Sequence, residues 1–297
     1  MTRTKSVKQG GAAGAATLVA SALSTQLGAA SGSLAFPVMG PLGVVAVRQL
    51  IAAAVLLPIV RPRLRTLTLA QWWPVLLLAL VFGTMNLTLY ASIERIGLGL
   101  AVTLEFLGPL SVALLNSRRR GSVICAIAAA IGVTAVTQPE PSTDYLGIGL
   151  ALTAACSWAA YILLNRTVGR RVPGVQGTAA ATGVSAALFL PIAAVIFLTN
   201  PPDAPAVLFA VGAGVLASVV PYIADLKTLR RIPASLFGLL MSINPVFAAV
   251  IGAVALHESL GPFEWIGMIL IVGANACALL LGGPDRGARA DQQHSNE

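Results

Sequence analysis

Ten apolar runs follow one another along the chain, separated by short polar segments, and each has about the 17–25 residues that a helix needs to cross a bilayer. Their approximate limits are 12–35, 41–60, 72–93, 97–116, 122–138, 146–165, 175–198, 205–226, 233–256 and 263–282. The pattern predicts an all-α membrane protein with ten transmembrane helices.

The charges between the runs give a second line of evidence for this topology. Lys and Arg cluster before the first run, in every second loop and in the C-terminal tail. The other loops carry acids instead, namely Glu94, Glu140, Asp144, Asp203 and Glu258. Because basic loops face the cytoplasm, both termini are predicted to be cytoplasmic and the number of spans to be even.

Composition supports lipid as the surroundings of this chain. Of its 297 residues 57% are hydrophobic and only 10% are charged, with a mean hydropathy of +0.85, whereas soluble domains carry about 25% charged residues. The net charge of +8 is no sign of nucleic-acid binding, because the basic residues lie in short clusters between the apolar runs.

Two pairs of segments indicate an internal repeat. The stretch AAVLLPIV (53–60) matches AALFLPIA (186–193), and RIGLGLAVTLEFLGPLSVAL (95–114) matches RIPASLFGLLMSINPVFAAV (231–250). The second match aligns Pro109 with Pro245. Each half then holds five spans, and since five is odd, the halves enter the membrane from opposite sides as inverted repeats.

This division predicts four parts of the chain. They are a cytoplasmic N-terminus at 1–11, a first five-helix repeat at 12–138, a second at 146–282 and a disordered cytoplasmic tail at 283–297. Inverted repeats provide two near-equivalent gates on opposite sides of a membrane, which favours a transporter working by alternating access. A duplicated scaffold without transport is the alternative.

Arg48 and Glu105 are the only full charges well inside any span. A charge at the bilayer centre costs about 2.5–3.5 kcal/mol on insertion scales, so each should face a cavity or a partner. They have opposite sign and similar predicted depth, and would suit the carboxylate and ammonium of a zwitterionic substrate. The alternative is a structural salt bridge between the second and fourth spans. Glu105 is also a candidate proton carrier.

Proline and other polar side chains add candidates for the same site. Pro109 and Pro245 each remove a helical hydrogen bond and are predicted to break their helices beside it. Further candidate substrate-binding residues are Gln26, Asn86, Tyr90, Trp158, Tyr161 and Asn244. Each could instead serve packing between helices. The Gly28 and Gly32 pair, spaced one turn apart, predicts close helix packing.

Several kinds of chemistry receive no support from the sequence. The cysteines Cys125, Cys156 and Cys277 lie within apolar runs and are interpreted as small hydrophobic residues, and no metal or cofactor is predicted. There is no Ser-His arrangement for an enzyme and no GxxxxGK[ST] motif for ATP. His257 and Glu258 are interpreted as a solvated loop.

The segments LGLAVTLEFLGPLSVALL, ACSWAAYILLNR and RIPASLFGLLMSINPVFAAVIGAVALHESL resemble those of the EamA-type drug/metabolite transporters. The LEFxGPL segment, from Leu104 to Leu110, resembles in particular the bacterial threonine/homoserine exporters. The resemblance implies an inner-membrane exporter of small amino acids, with a central cavity lined by spans 1–4 and 6–9. An exporter of another solute class, such as a drug, nucleoside or sugar, and a non-transporting membrane receptor remain alternatives.

Overall fold

The computed structural model describes residues 2–115, 120–137, 144–172, 175–221, 224 and 243–282, and every regular element within these ranges is helical. Within these ranges, the described part of each predicted apolar run is largely helical. The predicted disordered tail and the first part of the ninth run lie outside the described residues.

The helix bounds in chain order are α1 Thr2–Ser33, α2 Phe36–Val60, α3 Leu69–Ile96, α4 Leu98–Glu105, α5 Leu107–Leu115, α6 Arg120–Thr137, α7 Tyr145–Arg171, α8 Gln176–Thr199, α9 Ala204–Gly214, α10 Asn244–Ala255 and α11 Pro262–Gly282. A 3₁₀ turn, Leu64–Thr66, precedes α3, and a π-helical segment, Val215–Val219, continues α9. The fourth predicted span is therefore two short helices, α4 and α5.

Four helices in the described ranges, α2, α3, α7 and α8, are long and apolar enough to cross a membrane by length and composition. Large apolar side chains cover the outside of the molecule, with Leu69, Leu115 and Leu198 exposed to 88%, 84% and 84%. Contiguous apolar surface of this kind suits contact with lipid and is rare on soluble monomers. The predicted all-helical membrane fold is confirmed at this level.

Polar residues in the loops start several of the helices. The side chain of Asp203 accepts a hydrogen bond from the backbone N–H of Ala206 at 2.9 Å at the beginning of α9. Thr68 and Gln71 form a capping box at the beginning of α3. These side chains satisfy N–H groups that have no partner in the first turn of a helix.

The helices associate in pairs that join the two halves of the sequence. The pairs are α1 with α9, α2 with α8, α3 with α7, α4 with α10, and α6 with α11. Small residues permit the closest approach between paired helices: a Cβ added to Gly28 of α1 would lie 2.5 Å from the backbone nitrogen of Ala217. A Cβ added to Gly32 would lie 2.8 Å from Cε1 of Tyr90. The predicted close packing at this glycine pair is confirmed.

The α3–α7 pair is held together at both ends. Asp144, which precedes α7, forms an ion pair with Arg95 at 2.9 Å and accepts a hydrogen bond from the Gly147 N–H at 2.8 Å. The pKa of Asp144 is held below its ordinary value, first by the hydrogen bond from the Gly147 N–H and second by the Arg95 guanidinium. At the other end, the Gln71 side chain donates a hydrogen bond to the Arg171 carbonyl at 2.7 Å.

Glu258 holds the beginning of α4 from the other half of the chain. Its carboxylate accepts hydrogen bonds from the backbone N–H groups of Leu98 at 2.6 Å and Gly99 at 3.3 Å. The chain reaches this position through Gly97, whose φ of +82° favours glycine. The interpretation of Glu258 as a solvated loop residue is therefore wrong, because the free N–H groups and positive end of α4 attract the carboxylate.

Replacing Glu258 by alanine is expected to destabilise the fold by about 1–2 kcal/mol, since it removes both hydrogen bonds to the beginning of α4 together with a charge that complements the helix dipole. Thermal unfolding of the detergent-solubilised protein measures this change. The neighbouring exposed Ser259, replaced by alanine, serves as the matched control. Equal melting temperatures for Glu258→Ala and Ser259→Ala would contradict the capping role.

Candidate functional site

Arg48 of α2 is anchored to the π-helical segment of the second half. Its Nε donates a hydrogen bond to Ser218 Oγ at 2.9 Å, and its Nη2 donates to the Ala217 carbonyl at 3.0 Å. Ser24 Oγ of α1 donates to the Leu216 carbonyl at 2.8 Å. A π-helical turn shifts the backbone hydrogen-bonding pattern, and in this segment two of its carbonyls accept side chains from the first half.

The guanidinium of Arg48 also lies over an aromatic ring. Its Cζ is 5.2 Å from the centroid of Tyr90, within the range of a cation–π interaction. Tyr90 is fully buried and contacts Phe36 edge-to-face, with the ring centroids 5.8 Å apart. Within the described ranges the Tyr90 hydroxyl has no hydrogen-bond partner. Arg48 is thus held in a fixed orientation by polar groups and an aromatic ring.

Glu105 is the last residue of α4 and is only 5% exposed. No nitrogen of Arg48 lies within 4 Å of its carboxylate, and in the described part of the chain no group donates a hydrogen bond to it. The salt-bridge alternative between the second and fourth spans is therefore wrong. Arg48 and Glu105 are thus opposite charges within the spans that are not paired with each other.

The helix carrying Glu105 is interrupted directly after it. Phe106 stands between α4 and α5, and Pro109 follows one turn later, where its ring prevents the usual hydrogen bond to the Glu105 carbonyl. Phe106 packs edge-to-face against Trp158 of α7, with centroids 4.7 Å apart and an interplanar angle of 84°. The acid therefore lies at a helix end whose position is fixed by aromatic packing on the next residue.

Gln26 of α1 and Asn244 of the second half lie at about the same depth as Glu105. Gln26 Nε2 donates a hydrogen bond to Asn244 Oδ1 at 2.9 Å, and both side chains are buried. Close packing of Gly99 on Ala249 fixes the antiparallel register of α4 and α10, which sets Glu105 near the level of Asn244. Pro245 lies in the first turn of α10, and the residues before Ile243 lie outside the described ranges.

Two further predicted residues make contacts with Phe82 of α3. Asn86 donates a hydrogen bond to the Phe82 carbonyl of its own helix at 2.8 Å. Tyr161 packs on the Phe82 ring with centroids 5.2 Å apart, and Asn165 Nδ2 donates to the Tyr161 hydroxyl at 3.4 Å. Asn86 and Tyr161 therefore both contact Phe82, and Tyr161 does so within an apolar cluster of α3, α7 and α8.

Comparison with known proteins identifies the chain. Residues 145–280 match the model of the EamA-like transporter family. The threonine/homoserine exporter RhtA of Salmonella typhimurium strain LT2 is 34% identical over 259 residues, covering 85% of this chain and 86% of its own. RhtA of Escherichia coli K12 is 32% identical over 87% of this chain and 88% of its own.

The chain belongs to the EamA-like transporter family. An uncharacterized transporter of Bacillus subtilis, YwfM, is 25% identical to this EamA-like protein over 70% of the chain. A crystal structure of a protein with 19% sequence identity covers 90% of the chain with a TM-score of 0.59, which concerns the fold alone. The predictions of a multi-pass membrane transporter, of EamA family membership and of a transporter rather than an enzyme are confirmed.

Sequence reasoning missed two features of the site in this EamA-like protein. Ser218, which accepts a hydrogen bond from Arg48, belongs to a segment without Gly or Pro that gives no local sign of a π-helix. Phe106, which contacts Trp158, was an apolar residue in an apolar run. Its position between an acid and a proline is the one signal that could have marked it. Among the described residues, no three His, Cys, Asp or Glu side chains converge as a metal site would require.

Proposed function

We propose that this EamA-like protein is a secondary transporter of the bacterial inner membrane that exports small zwitterionic amino acids resembling threonine or homoserine. The observation that carries the proposal is the pair of unpaired opposite charges within the spans: a half-buried Arg48 anchored by Ser218 and Ala217, and a buried Glu105 that forms no ion pair with it. The RhtA relatives are threonine/homoserine exporters, which supports the same substrate class.

The charge arrangement suits a small amino acid. The guanidinium of Arg48 has planar N–H donors that suit a carboxylate. Its orientation is fixed by hydrogen bonds to Ser218 and Ala217 and by the Tyr90 ring. Glu105 offers a carboxylate without a donor in the described ranges, which suits an ammonium group. A buried charge that lacks a partner is unfavourable, so a zwitterion would satisfy both ends of the site at once.

Inverted repeats with cytoplasmic termini are part of the same proposal, because alternating access needs two equivalent gates. The helix pairing supports them. In the numbering of the predicted spans, the pairs are 1–8, 2–7, 3–6, 4–9 and 5–10. Exchanging every span for its counterpart in the other half returns the same set of pairs, as a two-fold axis relating the halves requires.

Protons are the proposed coupling ion, with Glu105 as their carrier. A carboxyl at the substrate site can bind either a proton or an ammonium group, and competition between them would couple export to the proton gradient. The supporting observation is that Glu105 is buried at the helix break and receives no hydrogen bond from the described residues, so its carboxylate can bind either cation.

Efflux from proteoliposomes loaded with radiolabelled threonine tests the function. We expect the purified protein to release threonine faster than protein-free vesicles, and to do so faster still when an inward proton gradient is imposed. Homoserine should compete, whereas uridine and glucose should not. Release of uridine or glucose but not of threonine would replace the proposed substrate class with another one, and release unaffected by the gradient would exclude proton coupling.

A further inference from the structure

Gln26 carries a hydrogen-bond acceptor that the described fold leaves unused. The side chain is only 3% exposed, and its Nε2 donates to Asn244 Oδ1 at 2.9 Å. This bond fixes the orientation of the amide. Within the described ranges, Gln26 Oε1 receives no hydrogen bond. Buried acceptors are nearly always satisfied, so an orphan of this kind calls for an explanation by a ligand or a water molecule.

The position of Gln26 relates it to the proposed substrate site. At a rise of 1.5 Å per residue, Gln26 lies about 11 Å from the end of α1 at Ser33, and Glu105 lies about 11 Å from the beginning of α4 at Leu98. The register of α4 on α10 brings Glu105 towards the level of Asn244, the residue that holds Gln26. The unused oxygen and the carboxylate therefore belong to one layer of the molecule.

Two groups of threonine or homoserine can donate a hydrogen bond to this oxygen, the ammonium and the side-chain hydroxyl. The ammonium is matched by the charged Glu105, a stronger acceptor than an amide. The carboxylate cannot donate a hydrogen bond to Gln26 Oε1. The donor that suits a neutral amide oxygen is the side-chain hydroxyl, which valine and other apolar amino acids lack.

We propose that Gln26 is a specificity-determining residue, whose Oε1 accepts a hydrogen bond from the side-chain hydroxyl of the transported amino acid. This inference rests on the proposed function and refines its substrate class to hydroxylated amino acids. The apolar isostere would leave the oxygen unsatisfied in the occupied site, and sites built to bind a hydroxyl discriminate strongly against analogues without one.

Parallel efflux of threonine and valine tests the proposal, because valine replaces the hydroxyl by a methyl group at nearly the same shape. Wild-type protein should transport threonine with a kcat/KM at least about tenfold above that of valine. Gln26→Met, which keeps the length of the side chain but lacks the oxygen, should bring that ratio towards one by slowing threonine alone. Gln26→Glu, which retains an acceptor, should keep the preference.

The outcomes separate the two proposals. A wild-type ratio near one, or equal slowing of threonine and valine in Gln26→Met, would overturn the hydroxyl assignment while leaving amino-acid export intact. Equal slowing would indicate a role in packing or in binding the ammonium group, which both amino acids share. Absence of flux for both amino acids in the wild-type protein would instead overturn the proposed function, and the hydroxyl assignment with it.

Discussion

Threonine efflux by the Glu105→Gln variant is expected to fall by about 10–100-fold relative to the wild type. Glutamine has the same shape but no charge, so the substitution removes the charged partner of the substrate ammonium, and hydrogen bonds to charged groups contribute about 1.5–3 kcal/mol. Initial rates from loaded proteoliposomes measure the loss.

The matched control is Glu94→Gln, which neutralises an exposed acid at the end of α3. Its efflux should remain within about twofold of the wild type, since an exposed charge is solvated by water. Thermal unfolding of both variants reports whether the fold is retained. Wild-type efflux by a folded Glu105→Gln protein would remove the acid from the mechanism.

The Arg48→Met variant is expected to lose efflux by 100-fold or more, the other large effect in this protein. The substitution removes the proposed carboxylate partner together with the hydrogen bonds to Ser218 and Ala217, and so leaves two partly buried acceptors without their donor. Arg48→Lys keeps the positive charge but loses the planar arrangement of donors, and should recover only part of the activity. Efflux rates and melting temperatures should be measured together.

Two controls separate binding by Arg48 from its anchoring. Ser218→Ala removes one of the anchoring contacts and keeps the guanidinium, and we expect a loss of only about two- to fivefold, corresponding to one neutral acceptor. Arg65→Met removes an exposed charge in the 3₁₀ turn before α3 and should have no effect on the rate. If Ser218→Ala and Arg48→Met lost activity equally, the anchoring of the π-helical segment would be the whole role of Arg48.

The positions of the helices could be predicted from sequence because the length of an apolar run is a local property. Span limits agree with helix bounds within a few residues for most of the chain, as in α8, predicted at 175–198 and found at Gln176–Thr199. The largest departure is α1, which the structure begins at Thr2. Its early part carries too many polar residues to count as a membrane span.

Contacts between the halves could not be predicted in the same way. Arg48 reaches Ser218, and Glu258 reaches Leu98, across more than 150 positions of sequence. Depth and sign of charge suggested Arg48 and Glu105 as partners, but an anchoring site in the π-helical segment competes for the guanidinium. Because that segment has no local sequence signal, its contacts with Arg48 could be found only in the three-dimensional structure.

Local spacing was also insufficient to assign the polar residues of the site. Tyr90 lies against the Arg48 guanidinium and Gln26 binds Asn244, whereas the Asn86 amide donates to a carbonyl of its own helix. Tyr161 shares a helix face with Trp158 in sequence, yet the two rings pack in different clusters. Which side of a helix faces the site depends on the neighbouring helices, and these cannot be identified from periodicity alone.

The central claim is that Arg48 and Glu105 bind opposite ends of one zwitterionic substrate. The most direct test removes the substrate carboxylate and the protein side chains separately and together, and compares the losses in binding. Binding of threonine and of threoninamide, which lacks the carboxylate, would be compared by calorimetry in the wild type, Arg48→Met and Glu105→Gln. We predict that removing the carboxylate weakens binding by at least tenfold in the wild type and in Glu105→Gln, but has little effect in Arg48→Met. An equal loss in all three proteins would contradict the account.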